Sequence, residues 1–123
     1  TREVAEKLVS FIKEGKYDEA HAELFTDNAI SVEPEGMENR IAEGREAIKA
    51  KGEMWQSMVE EVHSMSVSEP LVADDHFSVQ MAMNITYKGA PGPHESSEIA
   101  VFTVEDGKIV KEEFFYKPLP QEA

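Results

Sequence analysis

The sequence predicts an α+β domain, with helices first and an antiparallel sheet after them. Two observations carry this expectation. Apolar residues recur mainly at helical spacing up to about residue 60, and at a spacing of two from there on. Glycine, proline and paired aspartates then punctuate the second half at hairpin intervals. One early strand interrupts the helical part.

Val4, Leu8, Phe11 and Ile12 predict helix one, which Gly15 ends from the position just past it. Tyr17, Ala20, His21 and Leu24 predict a second, short helix. Asp18 and Glu19 suit its positive N-terminus. Phe25 to Asn28 reads as a turn into a strand that ends at Glu33. Pro34 keeps Glu33 extended, because its ring clashes with an α conformation in the residue before it. Residues 35–44 are polar and glycine-bearing and read as a loop. The helical period returns at Arg45. Ile48, Gly52, Trp55 and Val59 form one stripe, flanked by Ala47, Lys51, Met54 and Met58. Gly52 weakens such a helix by about 1 kcal/mol against alanine, which suggests a close-packed neighbour.

Val62 to Val72 reads as one strand, with Pro70 at a bulge or edge. Asp74-Asp75 is a turn. Phe77, Val79, Met81, Met83, Ile85 and Tyr87 alternate with polar or small residues and predict the next strand. Lys88 to His94 is a loop. Glu95–Val104 and Lys108–Lys117 predict a terminal hairpin, closed off by Pro118 and Pro120.

The hairpin's turn decides which side chains share a face. A two-residue Asp106-Gly107 turn would set Glu98, Ala100, Phe102 and Val104 beside Ile109, Lys111, Glu113 and Phe115. A three-residue loop with left-handed Gly107 would set them beside Val110, Glu112, Phe114 and Tyr116. The second is preferred, because it keeps Lys111 off an apolar face. The opposite face, with Ile99, Val101 and Phe115, is apolar as well. A sheet apolar on both sides needs two coverings: helices on one, and on the other a second copy of the chain, so a homodimer through the outer sheet face is expected.

The chain is 123 residues long, the size of one domain, taken as 1–123. It carries 25 acidic against 12 basic residues, a net charge of −13. That argues against nucleic acid or an anionic membrane surface as partner, since both select basic proteins. There is no cysteine, which fits a reducing compartment. No apolar run approaches the ~18 residues of a membrane span, and the start shows no signal pattern. A cytoplasmic protein is expected. His21, His63, His76 and His94 have no metal-ligand spacing, and neither a nucleophile motif nor a phosphate-binding glycine loop is present. No metal and no cofactor is expected.

Glu33 is the leading acid–base candidate: a carboxylate on stiff extended backbone, able to point into a cavity. Its plain alternative is a solvated rim residue paired with Arg45. In the preferred register Glu98 and Glu112 are near neighbours. Two close carboxyls push one pKa up, leaving a proton donor; solvation at a sheet end is the alternative. His63 titrates near neutrality and could relay a proton, or be an ordinary core histidine. Trp55, Met58, Met83, Phe102, Phe114 and Tyr116 could line an apolar pocket, with the methionines adapting to an irregular ligand, or simply pack the core.

Four stretches resemble the nuclear transport factor-like α+β barrel superfamily, which holds ketosteroid isomerases and SnoaL-like polyketide cyclases. They are Gly15-Lys16-Tyr17-Asp18-Glu19-Ala20, Phe25-Thr26-Asp27-Asn28-Ala29, Glu43-Gly44-Arg45-Glu46-Ala47-Ile48 and Val104-Glu105-Asp106-Gly107-Lys108-Ile109. Glu61-Val62-His63-Ser64 and Glu112-Glu113-Phe114-Phe115-Tyr116 look most like SnoaL-like domains. The resemblance covers nearly the whole chain. It implies three N-terminal helices packed on a curved, mostly antiparallel sheet, forming a cone-shaped half-barrel open at one end.

Glu33-Pro34 falls where the isomerase motif carries its general base, an aspartate before proline. The isomerase's oxyanion tyrosine and protonated aspartate correspond to Leu8 and Ala100, so a true ketosteroid isomerase is not expected. The resemblance implies a cofactor-free isomerase, cyclase or lyase acting on a small hydrophobic carbonyl compound. Glu33 would take a proton while His63, Glu98, Glu112 or Tyr116 donates to the developing oxyanion. The alternative is a non-catalytic module of the same fold that binds an apolar ligand or dimerises.

Overall fold

Helix α1 (Arg2–Lys13) buries Val4, Ala5, Leu8, Val9 and Ile12 along one face. Glu3 in its first turn and Lys13 in its last have the signs that the helix dipole favours. Gly15 stops it, at φ +72°. The Gly15 N–H bonds to the Ile12 carbonyl at 3.0 Å and the Lys16 N–H to the Phe11 carbonyl at 2.9 Å, a Schellman ending. Helix α2 (Tyr17–Leu24) follows and buries Ala20 and Leu24. The computed structural model describes residues 1–37 and 40–117; Pro118 and Pro120 lie outside the described residues.

Strand β1 (Phe25–Val32) starts at Phe25, without the expected turn. Phe25 is a buried core anchor, and this draws the chain straight from helix into sheet. Glu33 follows the strand, and its N–H still bonds to the Arg40 carbonyl at 2.8 Å. Strand β2 (Ile41–Glu43) lies within the segment read as loop and pairs antiparallel with β1. Three residues are too few to show a period. Helix α3 (Arg45–Met58) buries Ile48. Gly52 faces open space, so no neighbour packs closely on it.

The long strand expected before Asp74 is two: β3 (Val59–Val67) and β4 (Leu71–Ala73), broken around Pro70. Proline has no N–H for the ladder. Strand β4 turns through Asp74-Asp75 onto β5 (His76–Tyr87). Strands β6 (His94–Glu105) and β7 (Lys108–Phe115) complete the sheet. Its order is β2-β1-β7-β6-β5-β3, with β4 on β5. The β1–β7 pairing is parallel; the other pairings among the described residues are antiparallel. The helices cover one face of this curved sheet. Between them lies one core, where Phe77 stacks on Phe102 with ring centroids 4.7 Å apart.

The terminal hairpin corrects the expected turn but keeps the expected face. Asp106 (φ 50°) and Gly107 (φ 77°) form a two-residue turn with both residues left-handed. Glu105 opposes Lys108 and Val104 opposes Ile109; then Thr103 opposes Lys111. Val110 is the extra residue of a bulge, and it flips the register. Beyond it Phe102 opposes Glu112 and Ala100 opposes Phe114, while Lys111 goes to the outer face. On that outer face Ile99 opposes Phe115, each about half exposed. Among the described residues no helix is long and apolar enough to cross a membrane.

Candidate acid–base site

The parallel pairing of β1 with β7 sets Ser31 beside Glu112. Side chains alternate along a strand, so Glu33 continues the inner face of β1, and Phe114 and Tyr116 continue that of β7. Strand β6 adds Glu98, which pairs with Met81. Helix α3 adds Lys51, one turn beyond Ile48. These residues converge on the inner face at one end of the sheet.

Glu33 has two unlike oxygens. Its Oε1 accepts a hydrogen bond from the Tyr116 hydroxyl at 3.2 Å. Its Oε2 is buried without a hydrogen-bond partner among the described residues, 3.9 Å from Lys51 Nζ. Lys51 donates to Ser31 Oγ, and its ammonium sits 5.1 Å from the centroid of the Phe114 ring, close enough for a cation–π attraction. Ser31 is fully buried beside Glu112, itself only 5% exposed.

Burial dominates the electrostatics. It pushes the Glu112 carboxyl up to about 7, against the opposing pull of Lys51 and Ser31. It also pushes Glu98 up to about 7, helped by the charges of Glu33 and Glu112 and opposed by Lys51. Burial, then Glu33, holds the Tyr116 phenol well above the usual tyrosine range. Burial, then Glu98, raises the Tyr17 phenol. Burial lowers the His21 imidazole, with Asp18 opposing and Lys51 adding to the shift.

An open cleft of about 550 Å³ lies beside this cluster, lined by Ile12, Tyr17, Trp55, Val59, Met65 and Val67 among others. None of the three carboxyls lines it directly. Glu98 stands behind its wall. Val67 pairs with Met81, and Met81 with Glu98, so Glu98 is two strand spacings, ~10 Å, from the cleft. Trp55 is one helical turn beyond Lys51, a rise of ~6 Å. The Tyr17 hydroxyl donates to Met65 Sδ at 3.2 Å and stands between the two regions.

The structure therefore brings together Glu33, Glu98, Glu112, Phe114 and Tyr116. Trp55 lines the adjoining cleft, and Met83 pairs with Met65 at its edge. Three expected residues lie elsewhere. Phe102 is sealed in the core against Phe77. Met58 is half exposed at the end of α3. His63 is on the outer side of the sheet, with Nε2 2.6 Å from Thr86 Oγ1 and Nδ1 3.1 Å from Glu61 Oε2. The pairing shifts between Val62 and Ser64, and this bulge turns His63 away from the carboxyls. Arg45 pairs with Asp27 at 2.5 Å, not with Glu33.

Lys51 and Ser31 were not among the expected site residues. Each left a signal. Ser31 is two residues before Glu33, hence on the same strand face. Lys51 lies three residues after Ile48 and four before Trp55, a cation inside the inward stripe.

This fold matches that of a known group. The chain belongs to the SnoaL-like domain family, whose model matches residues 1–116. It is similar to a presumed SnoaL-like polyketide cyclase, also given as a carbohydrate phosphatase, from Mesorhizobium loti. That similarity is 30% identity and a TM-score of 0.86, covering 93% of this chain and 97% of the other. Two further solved structures share the fold. One is a presumed isomerase from Bacillus subtilis, at 21% identity and TM-score 0.70, with 94% and 85% of the chains covered. The other is a Catenulispora acidiphila protein with a ketosteroid isomerase-like fold, in complex with trimethylamine. It matches at 22% identity and TM-score 0.66, with 79% and 72% covered. None of the curated proteins matches the chain.

Proposed function

We propose that the chain is a cofactor-free acid–base enzyme of isomerase, cyclase or lyase type, acting on a small hydrophobic carbonyl compound. The state of Glu33 carries this reading. Its Oε1 is steadied by Tyr116, while Oε2 is shielded from water and has no hydrogen-bond donor among the described residues. A free lone pair on a desolvated carboxylate suits the removal of a proton from carbon. Glu98, with its carboxyl raised to about 7, carries a proton for much of the time at neutral pH and can return one to the product. Tyr116, kept protonated, can donate but not accept a proton. Glu112 lies too deep to touch a ligand. The polyketide cyclase part of the name borne by the Mesorhizobium relative supports this class.

The test is proton exchange. The protein is incubated in D2O with a panel of small apolar ketones, and loss of the α-proton signals is followed by NMR. At least one ketone should exchange faster than in buffer, and Glu33→Gln should slow it by about 10²-fold or more. Equal rates in the two proteins would remove Glu33 from the chemistry.

One observation favours a second reading, a non-catalytic ligand-binding module. The Tyr17–Met65 contact stands between the cleft and the carboxyls. An apolar ligand bound in the cleft, with no exchange of any ketone, would select it.

A further inference from the structure

Removing a proton from the carbon beside a carbonyl leaves negative charge on the carbonyl oxygen, and a donor must meet it. Leu8 and Ala100, the positions that the isomerase resemblance assigns to donors, are buried and apolar. The donor must come from elsewhere.

Lys51 has the required features. Its ammonium carries three N–H donors, and among the described residues Ser31 Oγ is its one hydrogen-bond acceptor. Glu33 Oε2, at 3.9 Å, is too far to be a second. The Ser31 bond and the Phe114 ring hold the head group in place. Its side chain keeps 27% exposure, so a ligand can reach it, whereas Ser31 and Glu112 are closed off. It also lies one helical turn from Trp55 in the cleft wall.

We propose that Lys51 is a catalytic electrophile whose uncommitted N–H groups receive the substrate's carbonyl oxygen while the Glu33 carboxylate takes a proton from the adjacent carbon. The proposal rests on the acid–base reading above. The α-carbon and the oxygen of a carbonyl compound are separated by one atom, so a base and a donor 3.9 Å apart can serve both at once. In this step the C–H bond breaks and its proton goes to Glu33. The C–H electron pair becomes the new C=C bond, and the C=O π pair moves onto oxygen. Lys51 keeps its protons and lends only hydrogen bonds. Return of the proton to carbon restores the carbonyl.

The experiment uses 4-nitrophenol as the probe, because its coloured anion mimics an enolate and reports its own ionisation. Bound to the wild-type protein, the probe should ionise at lower pH than in buffer. Lys51→Met should abolish that shift and weaken binding of the anion about tenfold, the strength of one charge-assisted hydrogen bond. Lys51→Arg, which keeps the cation, should retain most of it. In parallel, the Nζ resonance of Lys51 in nitrogen-15-labelled wild-type protein should move when the probe binds, a readout that needs no variant to fold. Equal ionisation in wild type and Lys51→Met, a wild type that prefers the neutral phenol, or an unmoved Nζ resonance would each overturn the proposal. Ketone exchange in Glu33→Gln is read separately. Loss of exchange with no Lys51-dependent phenolate shift rejects Lys51 and keeps Glu33. The reverse pattern rejects Glu33 and keeps Lys51 as an anion donor.

Discussion

The Tyr116 hydroxyl donates to Glu33 Oε1 at 3.2 Å across 83 residues of chain, joining the end of the last strand to the end of the first. Tyr116→Phe would leave a half-buried carboxylate oxygen unpaired. It should cost about 1–2 kcal/mol in denaturant unfolding and slow ketone exchange about tenfold. Subtracting the ultraviolet titration of this variant from that of the wild type isolates the Tyr116 phenol. Burial and Glu33 should keep its ionisation above the ordinary tyrosine value of about 10. A phenol that ionises normally would mean that it does not face Glu33.

Stability should fall as pH rises through neutrality. Burial raises Glu98 and Glu112 from an ordinary 4.5 to about 7. The folded protein thus holds protons that the unfolded chain releases. The stability from this source is complete below the unfolded value and is lost as pH rises through the folded one. Glu112→Gln removes the charge and keeps the side chain's shape. It should stabilise the protein by about 1–3 kcal/mol near pH 8 and change little below about pH 4.5. Urea unfolding at both pH values measures this. A variant weaker than wild type near pH 8 would show that the electrostatic pull of Lys51 on Glu112 outweighs burial.

Two glycines should respond in opposite directions. Gly107 has φ 77° in the hairpin turn. Gly107→Val forces a branched side chain into left-handed backbone and should cost about 1–3 kcal/mol. Gly52 sits mid-helix facing open space, with no such φ. Gly52→Ala should gain about 0.5–1 kcal/mol. Melting curves of the two variants check both, and a destabilised Gly52→Ala would reveal a neighbour on that face of α3.

The outer sheet face leads us to expect a homodimer. Ile99 and Phe115 oppose one another there, half exposed, with Val101 beside them. Sedimentation at micromolar concentration should give twice the 13.8 kDa of one chain, and Ile99→Lys with Phe115→Lys should return the single-chain mass. A wild-type monomer would leave this patch to another partner.

Features set by local physics were legible in the sequence. Gly15 ends α1 through bonds that reach back only a few residues. The alternation from Phe77 to Tyr87 announces β5 without help from its neighbours. Features set by pairing were not legible. Lys111 pointed to the face that β7 presents, but Ile109 and Val110 are both apolar and left the turn open, and the bulge that reconciles turn with face forms only against β6. His63 is turned outward by a shift in its pairing with β5 that no residue of β3 announces. Lys51 is the clearest miss. A long charged side chain on a helix normally reaches for water, and only packing against β1 shows it bending to Ser31.

Strand β7 lies between β1 and β6, and this placement imposes a timetable. A ribosome releases Ser31 and Glu33 long before it makes Glu112 and Tyr116. Until then β1 has only the three residues of β2 beside it, and its other edge is open to any passing strand. The hairpins from β3 to β6 close over short distances and need not wait. Insertion of β7 between the first strand and the waiting hairpins is then the late, long-range event, of the kind that slows folding and exposes nascent chains to aggregation. A nascent chain halted before Lys108 would carry Glu33, Lys51 and Glu98 but have no centre for them to serve.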